Sequence, residues 1–229
     1  MVIPVCDKHV WMDLLAGLPM FSPGSGPMVV IAPHPDDETL GIGGLIVSQR
    51  QNGVPILLIA VTDGENAYAD SVRLGDVRSE EQASAAARLG VERDDILRLH
   101  CEDSNVREEQ RTIVERLTPL VSSETHIVAP WPHDFHPDHE ACGAAALELA
   151  RAAKARLTFY FFWTWHRGTP ALLERQNLQA FPLNELQRTA KADALACHVS
   201  QLSHPSGDPI LHDIHLWPAS FPFEVYLPG

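Results

Sequence analysis

Met28-Val29-Val30-Ile31-Ala32-Pro33-His34-Pro35-Asp36-Asp37-Glu38-Thr39-Leu40 is the stretch from which the fold can be read. Residues 29–32 form an apolar run without alternation, which suits a strand covered on both faces and is too short for a helix. Pro35 and the acidic residues behind it suit a first helical turn. A missing N–H costs nothing there, and negative charge meets the positive end of the peptide dipoles. The stretch predicts strand, tight turn, helix.

Working outward, the same alternation recurs. Strands are predicted at 29–32, 55–61, 96–100, 126–130 and 157–163, and helices at about 39–52, 76–89, 106–121 and 138–152. The nearly all-apolar runs at 29–32, 56–61 and 127–130 require cover on both faces. The expected fold is therefore α/β: a Rossmann-like three-layer sandwich with a mostly parallel sheet, its functional groups at the carboxyl ends of the strands. Residues 1–27 read as a leader helix, from the amphipathic stretch 10–18, and a Gly/Pro/Ser linker; residues 28–165 read as the core. Beyond Trp165 the composition shifts, and 166–229 reads as a variable C-terminal cap with a helix at 184–197 and a late strand at 223–227. The whole, 1–229, is expected to be a single domain.

Composition narrows the classes of function. With 229 residues, 45% of them hydrophobic, the chain can bury a core unaided. Seventeen Lys and Arg against thirty Asp and Glu give a formal charge of -13, with no basic run, which argues against nucleic acid or an anionic membrane as partner. Cys6, Cys101, Cys142 and Cys197 are scattered without a C-x-x-C pair, so reduced thiols and a cytoplasmic location are expected. The first thirty residues carry neither a signal-peptide pattern nor an apolar run of spanning length.

His136-Pro137-Asp138-His139 echoes the opening stretch: again a strand, His-Pro-Asp, then a helix. Helix capping accounts for the prolines and one aspartate in each place. It does not account for a histidine before each proline, nor for the adjacent carboxylates Asp36, Asp37 and Glu38, which repel one another unless a cation sits among them. A metal answers both points, because two histidines and one carboxylate leave an open position for water. Such an ion would polarise an amide carbonyl while a neighbouring carboxylate takes a proton from water. Spacing alone leaves open which of Asp36 and Asp37 is ligand and which is base. His136 lies one helical turn from His139 and so faces the same side. Gly41-Ile42-Gly43-Gly44 is not a dinucleotide fingerprint, because it falls within the first predicted helix and the preceding turn is filled with carboxylates.

The runs 33–38 (PHPDDE) and 136–139 (HPDH) resemble the two signatures of the PIG-L/LmbE family of zinc-dependent N-deacetylases, with the resemblance extending over 29–147. It implies one Zn2+ per chain, or another divalent transition metal, held by His34, Asp37 and His139. It also implies Asp36 as general base, and His136 stabilising the oxyanion or protonating the leaving amine, with Asp138 orienting it. Thr62-Asp63-Gly64-Glu65, and Arg78 with Glu81, Ala85, Ala86, Leu89 and Gly90, resemble weaker family patterns, and Asp103 falls where relatives often place a sugar-binding carboxylate. Glu65, Arg78 and Asp103 are accordingly expected to contact substrate. Some relatives carry a Tyr two positions before His136, where this chain has Asp134. The implied substrate is a small N-acetylated amino sugar or glycoconjugate, with a homo-oligomer left open.

Trp163, Trp165 and His166 offer aromatic surface for a sugar ring, and Trp165 is expected at the substrate. His133, His198, His204, His212 and His215 show no ligand spacing. Three rivals are weighed. An iron oxygenase would use His34, Asp36 and a distal histidine, but its usual antiparallel barrel conflicts with the helical periodicity. A catalytically silent carbohydrate-binding protein of the same fold would not need ligands, base and acid together. A metal phosphoesterase would want a second cluster.

Overall fold

The apolar runs pair in parallel, as their lack of alternation requires. The computed structural model describes residues 2–68, 72–203 and 207–229, so His204 lies outside the described residues. The strands are β1 (Met28–Ala32), β2 (Ile56–Ala60), β3 (Ile96–Arg98), β4 (His126–Pro130), β5 (Arg156–Tyr160), β6 (Gln179–Pro182) and β7 (Phe223–Pro228). They form one sheet in the order β3-β2-β1-β4-β5-β7-β6. The first five run parallel, with Val29 opposite Leu57 on one side and Ile127 on the other, whereas β7 joins β5 and β6 antiparallel.

The helices are α1 (Lys8–Leu15), α2 (Asp37–Gln51), α3 (Leu74–Arg88), α4 (Val106–Leu117), α5 (Pro137–Ala153), α6 (Thr164–Arg167), α7 (Glu185–Leu195), α8 (Val199–Leu202) and α9 (Asp213–Leu216). Successive strand residues face opposite layers. Val29, Ile31 and Ile127 pack with Ile113 of α4 and Ala145 and Leu149 of α5, while Val30, Ala32 and Val128 pack with Leu45 of α2, Ala86 of α3 and Ala194 of α7. Fully burying a side chain such as Ile31 stabilises the fold by about 1.5–3 kcal/mol. Trp11 of α1 is buried in the first of these layers, edge-on to Trp165 at 5.1 Å.

Two departures from the sequence reading have local causes. The strand expected over 157–163 stops at Tyr160, because Asp134 takes the N–H groups of Phe162 (3.2 Å), Trp163 (3.1 Å) and Thr164 (2.9 Å) and turns the chain into α6. The Gly41–Gly44 run breaks α2, with Ile42 leaving helical geometry at φ −141°. Gly41 is needed there, since a Cβ would lie 2.4 Å from the Tyr160 ring. Glu224 of β7 caps the resumed helix, accepting from Gly44 N at 2.8 Å and Leu45 N at 2.9 Å, and its charge is met by Lys191 Nζ at 2.6 Å.

The order β3-β2-β1-β4-β5 makes the gap between the ends of β1 and β4 a topological switch point, where open α/β sheets bind ligands. Both His-Pro-Asp signatures sit there, one after each of these strands. Among the described residues no helix is long and apolar enough to cross a membrane.

Candidate functional site

β1 delivers His34, Asp36 and Asp37, and β4 with the start of α5 delivers His136, Asp138 and His139. Asp37 lies between the two groups. Its Oδ2 is 3.2 Å from His34 Nδ1 and its Oδ1 is 3.3 Å from His139 Nε2. Those separations resemble the roughly 3.4 Å expected between donor atoms sharing a tetrahedral ion at about 2.1 Å. His139 is fully buried, its Nδ1 is 2.8 Å from Asp134 Oδ2, and its Nε2 has no hydrogen-bond partner. An imidazole fixed by a carboxylate on one side, with a bare buried nitrogen on the other, is the usual preparation of a metal ligand.

The electrostatics point the same way. Burial alone would lower the His139 pKa, but the charge of Asp37 and the bond to Asp134 outweigh it and push it up to about 9. Burial opposes protonation of His34 too, and is overcome by Asp103, Asp138 and Asp37, which hold it well above its ordinary value. Burial would raise Asp37, yet His139 and His34 hold its carboxyl well below the usual range. This excess of carboxylate is what a divalent cation would neutralise. His34, His136 and His139 each present a nitrogen within 4.8 Å of the others, as do His34, Asp103 and Asp138 with their ligand atoms. The donors therefore fit a cation.

Asp36 differs from its neighbour. It is buried, with φ 151°, a conformation that costs a non-glycine residue about 1–3 kcal/mol. Burial and then the adjacent Asp37 raise its pKa well above the ordinary carboxylate value, while Arg78 pulls the other way. Glu38 turns away from the site and accepts from Gln82 Nε2 at 3.1 Å.

His136 caps α5 by accepting Asp138 N on its Nδ1 at 3.3 Å, which leaves Nε2 to carry the proton of the neutral ring. Burial, then the neighbouring His34 and His139, push its pKa down to about 3. The ring stacks on Trp163 at 5.8 Å and 19°, and the Arg167 guanidinium lies 4.1 Å over the same indole. The carboxylate of Asp138 does not reach toward His136; it bonds to His34 Nε2 at 3.1 Å and to Ser104 N at 2.8 Å.

A cavity of about 140 Å³ opens over these groups, with Arg78 and Asp103 on one wall and Phe162, Trp163 and Leu211 on the other. Arg78 donates to Gly64 O at 2.8 Å, while its buried Nε and Nη2 have no hydrogen-bond partner among the described residues. Gly64 has φ 64°, and a Cβ there would strike the Arg78 guanidinium at 2.3 Å. Glu65 Oε1 accepts from Asp103 N at 2.8 Å, and Asp103 Oδ2 accepts from Asn66 N at 3.1 Å, so Glu65 shapes the loop that carries Asp103. Trp165 does not line the cavity. It is buried against Trp11, Phe161 and Trp217, and the aromatic residue at the site is Trp163. His133 lies edge-on to Trp131, and His166, His198 and His215 are buried outside the donor groups.

Sequence reasoning passed over Asp134, which fixes His139, Asn66, which holds Asp103, and Gln201, which lines the cavity. The signal available for Asp134 was the need of His139 for a carboxylate partner.

Comparison with known proteins accords with this geometry. Residues 29–150 match the PIG-L family, described as GlcNAc-PI de-N-acetylase. The Bacillus subtilis protein named "Probable N-acetyl-alpha-D-glucosaminyl L-malate deacetylase 2" is 30% identical over 131 residues, covering 52% of this chain and 58% of that protein. Diacetylchitobiose deacetylase of Thermococcus kodakarensis is 29% identical over 140 residues, covering 55% and 49%. The matched stretch thus spans about half the length of these curated relatives. The fold is shared with N,N'-diacetylchitobiose deacetylase from Pyrococcus horikoshii, with a TM-score of 0.62 and 23% identity over 83% of this chain and 76% of the other.

Proposed function

The chain belongs to the PIG-L family, and from that premise we propose that it is a metal-dependent hydrolase that removes the N-acetyl group from an amino sugar or glycoconjugate. The observation that carries the reading is the buried, unpartnered Nε2 of His139, aimed at Asp37 while Asp134 fixes the other ring nitrogen. His34 Nδ1, Asp37 and His139 Nε2 are the ligands in this reading. His136 is not counted with them because its Nδ1 is occupied by Asp138 N, and because a carboxylate between two imidazoles offsets cationic charge as a third imidazole would not. The nitrogen and oxygen donor set suits zinc, which when bound polarises a carbonyl and lowers the pKa of water.

The protein's own groups supply the rest. Asp36, made more basic by burial and by Asp37, accepts the proton of the attacking water and returns it to the amine nitrogen as the C–N bond breaks, leaving acetate and the free amine. His136 stays neutral and presents Nε2–H to the carbonyl oxygen as negative charge gathers on it. Arg78, with two unpartnered nitrogens, and Asp103 orient the hydroxyls of the sugar, and Glu65 holds the Asp103 loop. The indole of Trp163 supports the ring of His136 and closes the apolar wall. The free cysteines Cys6, Cys101, Cys142 and Cys197 suit a reducing compartment such as the cytoplasm.

The test is to quantify metal in the purified protein and to assay N-acetylglucosaminides, chitooligosaccharides among them, for acetate and free amine. About one divalent ion per chain and chelator-sensitive amine release are expected. Full activity after complete metal removal would overturn the reading. Turnover that tracks oxygen consumption would favour an iron oxygenase, and sugar binding without acetate release a silent carbohydrate-binding protein.

A further inference from the structure

The third residue of the second signature does a different job from the one its position suggests. Asp138 is fully buried in the first turn of α5, and among the described residues its carboxylate makes its hydrogen bonds to groups other than His136. Oδ2 lies 3.1 Å from His34 Nε2 and accepts from Ser104 N at 2.8 Å, while Oδ1 accepts from Val106 N at 3.2 Å. The only bond from Asp138 to His136 is a backbone one, from its N–H to Nδ1. His34 therefore spans two carboxylates, with Nδ1 facing Asp37 and Nε2 facing Asp138. This repeats the arrangement of His139, which has Asp134 behind its Nδ1 and Asp37 before its Nε2.

We propose that Asp138 is the positioning residue of the metal ligand His34 rather than of His136, and that it locks the loop carrying Asp103 to that ligand. A proton on Nε2 donated to Asp138 leaves the lone pair on Nδ1 facing Asp37, the tautomer that a metal ligand needs. The two N–H donors from Ser104 and Val106 fix the carboxylate from the far side, so it cannot follow His34 if the ring swings. Ser104 holds φ 70° in doing so, a left-handed conformation that a serine adopts at a cost. Asp103, the residue before Ser104, has Oδ1 3.5 Å from the same His34 Nε2. The wall that meets the sugar and the ligand that meets the ion are thus held through one side chain. Each signature also supplies what the other lacks, since the ligand His34 comes from the first and its partner Asp138 from the second.

The inference rests on the reading of His34 as a ligand, and the test separates the two. Zinc affinity is measured by competition with a chromophoric chelator for the intact protein, Asp138→Asn and Asp134→Asn. An amide at 138 keeps the shape but accepts the Nε2 proton more weakly, so zinc binding should weaken by roughly 10–100-fold, as should binding to Asp134→Asn. Unchanged zinc affinity in Asp138→Asn, with a fall in turnover alone, would overturn the inference while leaving His34 as a ligand. Intact protein that binds no zinc would overturn both. Should Asp138→Asn fail to fold, nitrogen-15 NMR of the histidine rings in the unsubstituted protein decides. Zinc should shift Nδ1 of His34 and leave a protonated Nε2; a shift at Nε2 would overturn the inference.

Discussion

His-Pro-Asp occurs at 34–36 and again at 136–138, and the two aspartates end in opposite circumstances. Asp138 is surrounded by donors, the imidazole of His34 and the N–H groups of Ser104 and Val106; His34 and then Ser104 outweigh burial and hold its pKa below the ordinary carboxylate value. Asp36 is buried beside Asp37 and Glu38, and its pKa rises. Backbone geometry differs as well, helical at 138 and at φ 151° at 36. Identical tripeptides at equivalent strand ends thus yield a fixed anion and a strained, basic one. The supply of neighbouring donors decides which, and for Asp138 it comes from His34 of the other signature and from α4 and its preceding loop.

Substitutions at the first signature should break the site most completely. Asp37→Ala removes the group between both imidazoles, so metal and activity should be lost together, read by elemental analysis beside turnover. Asp36→Asn should keep its metal while turnover falls by roughly 100-fold or more, because an amide cannot accept the proton. A metal-free Asp36→Asn with a loaded Asp37→Ala would reverse the two assignments.

A second contrast lies in two tryptophans a residue apart. Trp165→Ala empties core space against Trp11 and should lower stability by about 3–5 kcal/mol in a denaturant melt. Trp163→Ala should change turnover or KM more than stability, since it faces the cavity. The reverse outcome would mean that the two indoles have been assigned to the wrong environments.

Acid should weaken the strand that leads to the second signature. Burial, and then Arg156, push the pKa of His126 down to about 4, whereas an unfolded histidine titrates near about 6.5. Above about pH 6.5 both states are neutral and the stability is fully present. As pH falls from about 6.5 toward 4 the unfolded chain gains a proton that the native one refuses, and stability drops by something on the order of 2–3 kcal/mol. His126→Gln should flatten that dependence in thermal melts between pH 7 and 4.5, and an unchanged slope would remove His126 as the cause. The smallest change in stability is expected from Asp36→Gly, which should relieve the backbone and raise stability by about 1 kcal/mol while turnover falls as in Asp36→Asn. A destabilised Asp36→Gly would show that φ 151° is not strained here.

The parallel half of the sheet was legible because strands such as β1 and β4, buried on both faces, must be written as unbroken apolar runs. Edge strand β6 was not, since Gln179–Pro182 is half-exposed, short and ends in proline. The two His-Pro-Asp signatures stood out as a candidate metal site because each sits at a strand-to-helix turn. The choice of His34, Asp37 and His139 as ligands, and of Asp37 over Asp36, came from the family resemblance and not from spacing. The partners of Asp134 and Asp138 could not be picked out, because they lie in the turn after β5, at the start of α6 and in the loop before α4, and no local pattern encodes such a contact. Trp165 was expected at the substrate and lies in the core instead, with only Trp163 of the two at the cavity, because the capture of three N–H groups by Asp134 ended the strand early and turned the chain into α6. The break in α2 depends on Glu224, nearly the length of the chain away.

That last dependence sets an order in time. Both signatures leave the ribosome long before Glu224 does, so a nascent chain can hold both and still lack the cap of the helix that resumes behind Asp37. Until residue 224 has been made the helix beyond the break stays uncapped, and a shorter polypeptide carries both signatures beside an unanchored helix.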